Sequence, residues 1–247
     1  MNDAHAEKAL SIEGVHVLYD KIKAVDDINL DVKKGEFFGL IGLNGAGKTT
    51  LIKTILDLRK QDLGSVKIFG ADVDEKSVKK RMAFLPERFE PSWFLSGMEF
   101  LKFSTKLYHA KWSEQDFREY ADRLALDPGA LDRRVQTYSK GMRQKLGLLA
   151  TVMTKSELLI LDEPMSGLDP VARTLVKDLL MEVKKAGTTI FLSSHILADM
   201  DEICDRVALL HETEVQFLGT PKELKKKTSS ENLERAFLYF IEKDRAA

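Results

Sequence analysis

Residues 36–50 read EFFGLIGLNGAGKTT, an apolar run followed by Gly42-x-x-x-x-Gly47-Lys48-Thr49 and then a helical pattern. That order of residue types suits phosphate chemistry. Glycines let the chain wrap an anion with its backbone N–H groups pointing inward, and a following helix N-terminus adds partial positive charge. Lys48 supplies a full charge for the outer phosphates of a nucleotide, and the Thr49 hydroxyl can ligate magnesium. By chance the pattern would occur in on the order of one chain in a hundred of this size, so a mere glycine turn is the weaker explanation.

A second candidate is LLILDEPMSGLDP, where four apolar residues lead into Asp162 and Glu163. Successive strand side chains face opposite ways, so adjacent carboxylates at a strand end can serve two tasks. Asp162 suits a magnesium shell, and Glu163 suits a base that takes a proton from water or orients it. A charged cap after a buried strand explains the pair equally well when it is taken alone. A third is YSKGMRQKLGLLATVM, in which Ser139 stands where an amphipathic helix should begin and Gly141 allows close approach. It offers a second anion-binding helix N-terminus, about ninety residues from the first. One nucleotide does not readily explain both, whereas a nucleotide shared between two chains does.

The elements needed to position these residues are legible. The first third alternates short apolar runs with turn signals, which predicts several strands and one helix. From about 92 to 154 the spacing turns helical, with Phe100, Phe103 and Leu107, then Phe117, Tyr120 and Leu124, then Met142, Leu146 and Leu149. Strand and helix rhythm then returns as ELLILD, a helix from Pro170 to about Lys185, TTIFLSS, another helix, RVALL and EVQFLG. Continuous apolar strands joined by helices predict a parallel sheet. Thr220-Pro-Lys-Glu223 is a capping-box pattern, and a last helix is expected around SENLERAFLYFIEK.

Taken in order, these motifs resemble the ATPase subunit of an ABC transporter. Gly42, Leu43, Asn44, Gly45, Ala46, Gly47, Lys48, Thr49 and Thr50 match its phosphate loop, and Ser139 to Gln144 lie at its signature. Leu158 to Glu163 match the magnesium strand and catalytic glutamate, Ser166 to Asp169 the dimer-contact loop, and His195 the switch histidine. The resemblance implies an α/β fold with a RecA-like parallel core sheet, an antiparallel β subdomain and an α-helical subdomain. It implies an ATPase domain over 7–220, with its helical part at about 92–154, and a C-terminal helical tail over 221–247. ATP and Mg2+ are the implied cofactors, with Thr49, Asp162 and Glu87 around the metal. Tyr19 falls where the family stacks an aromatic ring on adenine.

The implied assembly is a head-to-tail dimer with a second copy or a homologous ATPase subunit, sandwiching two nucleotides. Each nucleotide would lie between one phosphate loop and the partner's equivalents of Ser139 and Gly141, with Asp169 contacting the opposite subunit. An integral membrane permease is the other implied partner. Two departures stand out. The signature reads YSKGM where the broad family has LSGGQ, a form that resembles the ATPases of small exporters with a separate permease chain. Glu87, in AFLPERFEPSW, stands where the family usually has glutamine; an ionised carboxylate only accepts hydrogen bonds, which favours magnesium or water as its partner.

Composition sets the outer bounds. Among 247 residues, 38 are basic and 39 acidic, so there is no global field to draw nucleic acid, and no nucleic-acid partner is expected. The single cysteine, Cys204, cannot form an intrachain disulfide, which fits a reducing cytosol. MNDAHAEKAL lacks the pattern of a secretory leader, and no apolar run reaches the roughly 18 residues that span a bilayer. The expectation is a cytoplasmic protein, peripheral at the membrane through its permease. His5, His16, His109 and His211 are expected to be structural. The competing class, a soluble ABC-type ATPase of translation or DNA repair, usually carries two cassettes or long insertions, and neither is present. A non-hydrolysing regulatory cassette is disfavoured by Glu163 and His195, and a small GTPase or kinase would not explain Ser139.

Overall fold

A computed structural model of the chain describes residues 7–245; His5 and the last two residues of the expected tail lie outside them. Alternating apolar and polar residues make Lys8–Tyr19 (β1) and Ile22–Lys33 (β2) an antiparallel hairpin, turned at Asp20, whose φ is +55°. The uniformly buried strand Phe37–Ile41 (β3) follows, then Lys48–Ile55 (α1), Leu63–Ile68 (β4), Ala71–Asp72 (β5) and the single turn Lys76–Lys79 (α2). Next come Met82–Leu85 (β6), Gly97–Leu107 (α3), Glu114–Arg123 (α4), Lys140–Val152 (α5), Leu158–Asp162 (β7) and Pro170–Lys185 (α6). The chain ends with Thr189–Ser194 (β8), Leu197–Ile203 (α7), Arg206–His211 (β9), Glu214–Gly219 (β10), Pro221–Lys227 (α8) and Leu233–Arg245 (α9).

Among the described residues these elements form two units, one running up to Lys79 and resuming at Thr189, the other of residues 80–188. In the first, β2, β1, β4 and β5 make an antiparallel sheet in that order. Beside it stand β10, β9, β3 and β8, with β3 parallel to both β8 and β9. The runs FFGLI and TIFLSS are buried at every position, as strands covered on both faces must be. β10 turns back antiparallel on β9, closing that edge with a hairpin where the sequence suggested only further strands. α8 begins with the expected capping box, Thr220 accepting from the Glu223 N–H at 3.1 Å with Pro221 in the first turn.

In the second unit β6 and β7 pair in parallel, and α5 packs on β6 and α3. The unit therefore reaches beyond the helical stretch of 92–154 on both sides. α3 forms where expected, capped by a reciprocal Ser96–Glu99 box. Its packed face differs from the expected one: Met98, Leu101 and Thr105 are buried, whereas Phe103 and Leu107 are exposed. Helical spacing identifies an apolar stripe without saying how closely its neighbours will cover it, and Phe103 and Leu107 stay at the surface. No helix among the described residues is long and apolar enough to cross a membrane.

Candidate nucleotide site

In the first unit, β3 and β8 run in register from Phe37↔Ile190 to Ile41↔Ser194. Gly42 and His195 therefore leave neighbouring parallel strands at the same carboxyl end, the end where ligands collect in such sheets. The loop from Gly42 to Gly47 is tight. A Cβ on Gly42 would stand 2.6 Å from the Leu210 carbonyl oxygen, and one on Gly47 2.4 Å from that of Ala24. Gly45 and Gly47 have φ of +85° and +105°, which only glycine adopts without strain.

Lys48 is buried, and its ammonium donates to the carbonyls of Gly42 at 2.6 Å and Leu43 at 3.3 Å. The loop thus curls around its own cation. Gly47 caps α1 without a side-chain hydrogen bond, and no acidic residue stands in the first turn. The N–H groups of Lys48, Thr49 and Thr50 lie before a helix dipole that no acidic side chain there neutralises, an arrangement suited to an anion. Leu43 and Asn44 are exposed on the loop, while Ala46 is buried. A phosphate chain is one anion that such a loop suits. Tyr19, at the end of β1, keeps 45% of its surface exposed. His195 is exposed just past β8, and its neighbour Ile196 donates its N–H to Ser194 Oγ at 3.0 Å.

The second unit repeats the logic. β6 and β7 pair from Met82↔Leu158 to Leu85↔Leu161, so Glu87 and the Asp162-Glu163 pair emerge side by side at the carboxyl ends of parallel strands. Both carboxylates of the pair are buried. Glu163 has φ of +50°, a left-handed conformation that costs a non-glycine residue energy and persists when the surroundings hold it. Ser139 caps α5, its Oγ accepting from the Met142 N–H at 3.2 Å, and its hydroxyl proton can donate to an anion. A side chain on Gly141 would meet Leu168 at 3.7 Å, which places the signature glycine against the loop before α6. Asp169 caps α6 by accepting from the Ala172 N–H at 2.9 Å, and that bond holds its carboxyl below the ordinary range.

Glu87 is exposed and lines a cavity of about 410 Å³ with Arg88, Phe89, Glu90, Lys140, Arg143, Gln144 and Ser166. The start of α5, the loop before α6 and Glu87 thus meet in one hollow. Its cationic members Arg88 and Arg143 carry no motif signal in the sequence, whereas Lys140 is the lysine of the YSKGM stretch. Tyr138, just before Ser139, is buried and donates its hydroxyl to the Ala130 carbonyl at 2.6 Å. His16 pairs with Asp26 at 2.7 Å, and Cys204 is buried against Met200. Among the described residues, no group of three or more His, Cys, Asp or Glu forms a metal cluster, so a metal here would depend on a few protein oxygens and on its ligand's phosphates.

The profile of the ABC transporter family matches residues 25–166. The chain belongs to the ABC transporter family. An uncharacterized ABC transporter ATP-binding protein of Synechocystis sp. is 37% identical over 207 residues, covering 83% of this chain and 58% of that protein. The daunorubicin/doxorubicin resistance ATP-binding protein DrrA of Streptomyces peucetius is 34% identical over 227 residues, 90% of this chain and 68% of that one. A solved ATP binding subunit of an ABC transporter superposes with a TM-score of 0.83 at 29% identity, covering 94% of this chain and 98% of its own. This chain spans about three fifths of the length of the cyanobacterial relatives it matches. Its fold is that of the ABC ATPase, with a phosphate loop, mixed parallel and antiparallel strands and a helical subdomain.

Proposed function

We propose that this chain is the ATP-hydrolysing nucleotide-binding subunit of an ABC transporter, that it pairs head to tail with a second copy or a homologous subunit around two MgATP, and that it drives a separate membrane permease. The observation that carries the proposal is Glu163, a buried carboxylate fixed in a left-handed conformation directly after Asp162 at the end of a parallel strand. In this reading Lys48 and the N–H groups of residues 42–50 hold the phosphates. Tyr19 stacks on adenine. Thr49 and Asp162 hold magnesium, with Glu87 reaching its water shell; the ion, when bound, offsets negative charge on the phosphate oxygens. Glu163 takes a proton from the attacking water, and His195 donates to the γ-phosphate or orients that water. Ser139 and Gly141 face the partner's nucleotide, and Asp169 contacts the partner.

Export is the proposed direction. It rests on the YSKGM signature and on relatives whose names record drug resistance. Trp93 and Phe94, 60% and 79% exposed just beyond Glu87, support a permease-binding groove there. A cytoplasmic location, peripheral on the membrane through that permease, follows from the same reading. The test is Glu163→Gln, which should bind MgATP, sediment as a dimer and lose on the order of a hundredfold in turnover, the scale of general base catalysis. Turnover equal to that of the unmodified protein would sink the assignment. Pull-down from native membranes should recover a multi-span permease, and recovery of ribosomes or DNA alone would favour the competing class.

A further inference from the structure

Arg59, four residues beyond the end of α1, lies over the face of the Tyr19 ring, its guanidinium carbon 5.4 Å from the ring centre. The contact is built rather than incidental. The ladder between β1 and β4 stops at His16↔Leu63, and beyond it side chains take over as partners of β1. Arg59 donates to the Leu18 carbonyl at 2.7 Å, and Asp62 accepts from the Leu18 N–H at 2.8 Å. Both polar groups of the residue before Tyr19 are thereby held. Arg59 also donates to the Lys60 carbonyl and approaches Asp62 at 3.4 Å, so its own plane is fixed. Only a planar, many-donor fork can make these bonds and still present a charged face to a ring.

We propose that Arg59 is a positioning residue for the nucleotide base. It braces the Tyr19 ring from one face, while Asp62 and Arg59 together fix the backbone behind it, leaving the opposite face for a flat aromatic base. A cation on one face is attracted to the ring's negative quadrupole and costs the ring its rotational freedom before a ligand arrives. The ring is then ordered in advance, so base binding has less entropy to offset. This inference rests on the reading of Tyr19 as the base-stacking residue.

Calorimetric titration of the full chain with MgADP, and in parallel with magnesium tripolyphosphate, which has no base, separates the possibilities. Arg59→Ala should raise the Kd for MgADP roughly three- to tenfold, the range of a cation–ring contact, with the Kd for tripolyphosphate unmoved. In turnover the effect should fall on KM rather than kcat, and Arg59→Lys should restore part of it. If Arg59→Ala does not fold, Arg59→Gln is read instead, since it keeps a donor for Leu18 but no charge over the ring. A Tyr19→Ala variant that weakens MgADP while Arg59→Ala does not would overturn the proposal and leave the Tyr19 reading standing. No change in either variant would overturn both. Equal weakening of MgADP and tripolyphosphate by Arg59→Ala would mean a general structural role and would also overturn it.

Discussion

Gln144 donates its side-chain amide to the carbonyl of Pro164 at 3.1 Å, and Gln144 is buried. Pro164 directly follows Glu163, so the second turn of the signature helix holds the loop on which the proposed base sits. Lys140, one turn earlier on the same helix, lies over Gly167, with its Nζ 3.2 Å from where a Cβ would be. Two side chains of α5 thus clasp residues 164–167. Gln144→Leu would leave the Pro164 carbonyl without this donor in a buried place, at a cost of about 1–3 kcal/mol. Thermal unfolding should register that loss. Steady-state turnover should fall about tenfold through kcat, since about 1.4 kcal/mol of lost positioning is tenfold in rate, with KM little changed. Unchanged kcat would show that the loop keeps its shape without Gln144.

Gly47 makes a sharper prediction about the phosphate loop. A methyl group there would stand 2.4 Å from the Ala24 carbonyl oxygen, and φ is +105°. Gly45 also has a positive φ, but a methyl group there would meet nothing within 4 Å. Gly45→Ala therefore carries backbone strain alone, roughly 1–3 kcal/mol, whereas Gly47→Ala adds a clash that moves the loop off β2. In MgADP titrations, Gly47→Ala should bind at least about tenfold more weakly than Gly45→Ala, matching about 1.4 kcal/mol of added clash. Equal affinities for the two variants would refute the close-approach argument.

The sequence made the local chemistry legible and left the partnerships unread. The Pro170–Lys185 helix, the Thr220 box and the buried strands before Gly42 and Asp162 follow from caps, proline placement and apolar runs, which act within a few residues. Phe103 and Leu107 misled because periodicity reports a stripe without saying what will cover it. Gln144 with Pro164, and Arg59 with Tyr19, are separated by twenty and forty residues; the first pairing exists only once α5 has folded back on the loop after β7, and the second only once β1 and β4 have paired. The motif residues were readable for the opposite reason: phosphate binding demands glycines and a lysine in one short loop.

Glu36 gives a pH dependence that can be signed. It is buried at the start of β3, accepts from the Lys33 N–H at 2.7 Å and stands 3.4 Å from Arg206. Burial pushes its carboxyl above the ordinary range, aided by the Asp205 charge, against the opposing pull of the Lys33 N–H and Arg206. A carboxyl with a higher pKa folded than unfolded binds its proton more tightly in the folded state. Its contribution to stability is complete below the unfolded value and is lost as pH rises through the folded one. Glu36→Gln mimics the protonated form at every pH, keeps an acceptor for Lys33, and leaves Arg206 with Asp31 at 3.5 Å. Measured by thermal unfolding from about pH 4 to about pH 8, the Tm of the variant relative to the unmodified protein should climb as pH passes from the ordinary carboxylate range to the raised one, then level off. A relative Tm that stays flat, or falls with rising pH, would mean that Arg206 rather than burial sets the state of this carboxyl.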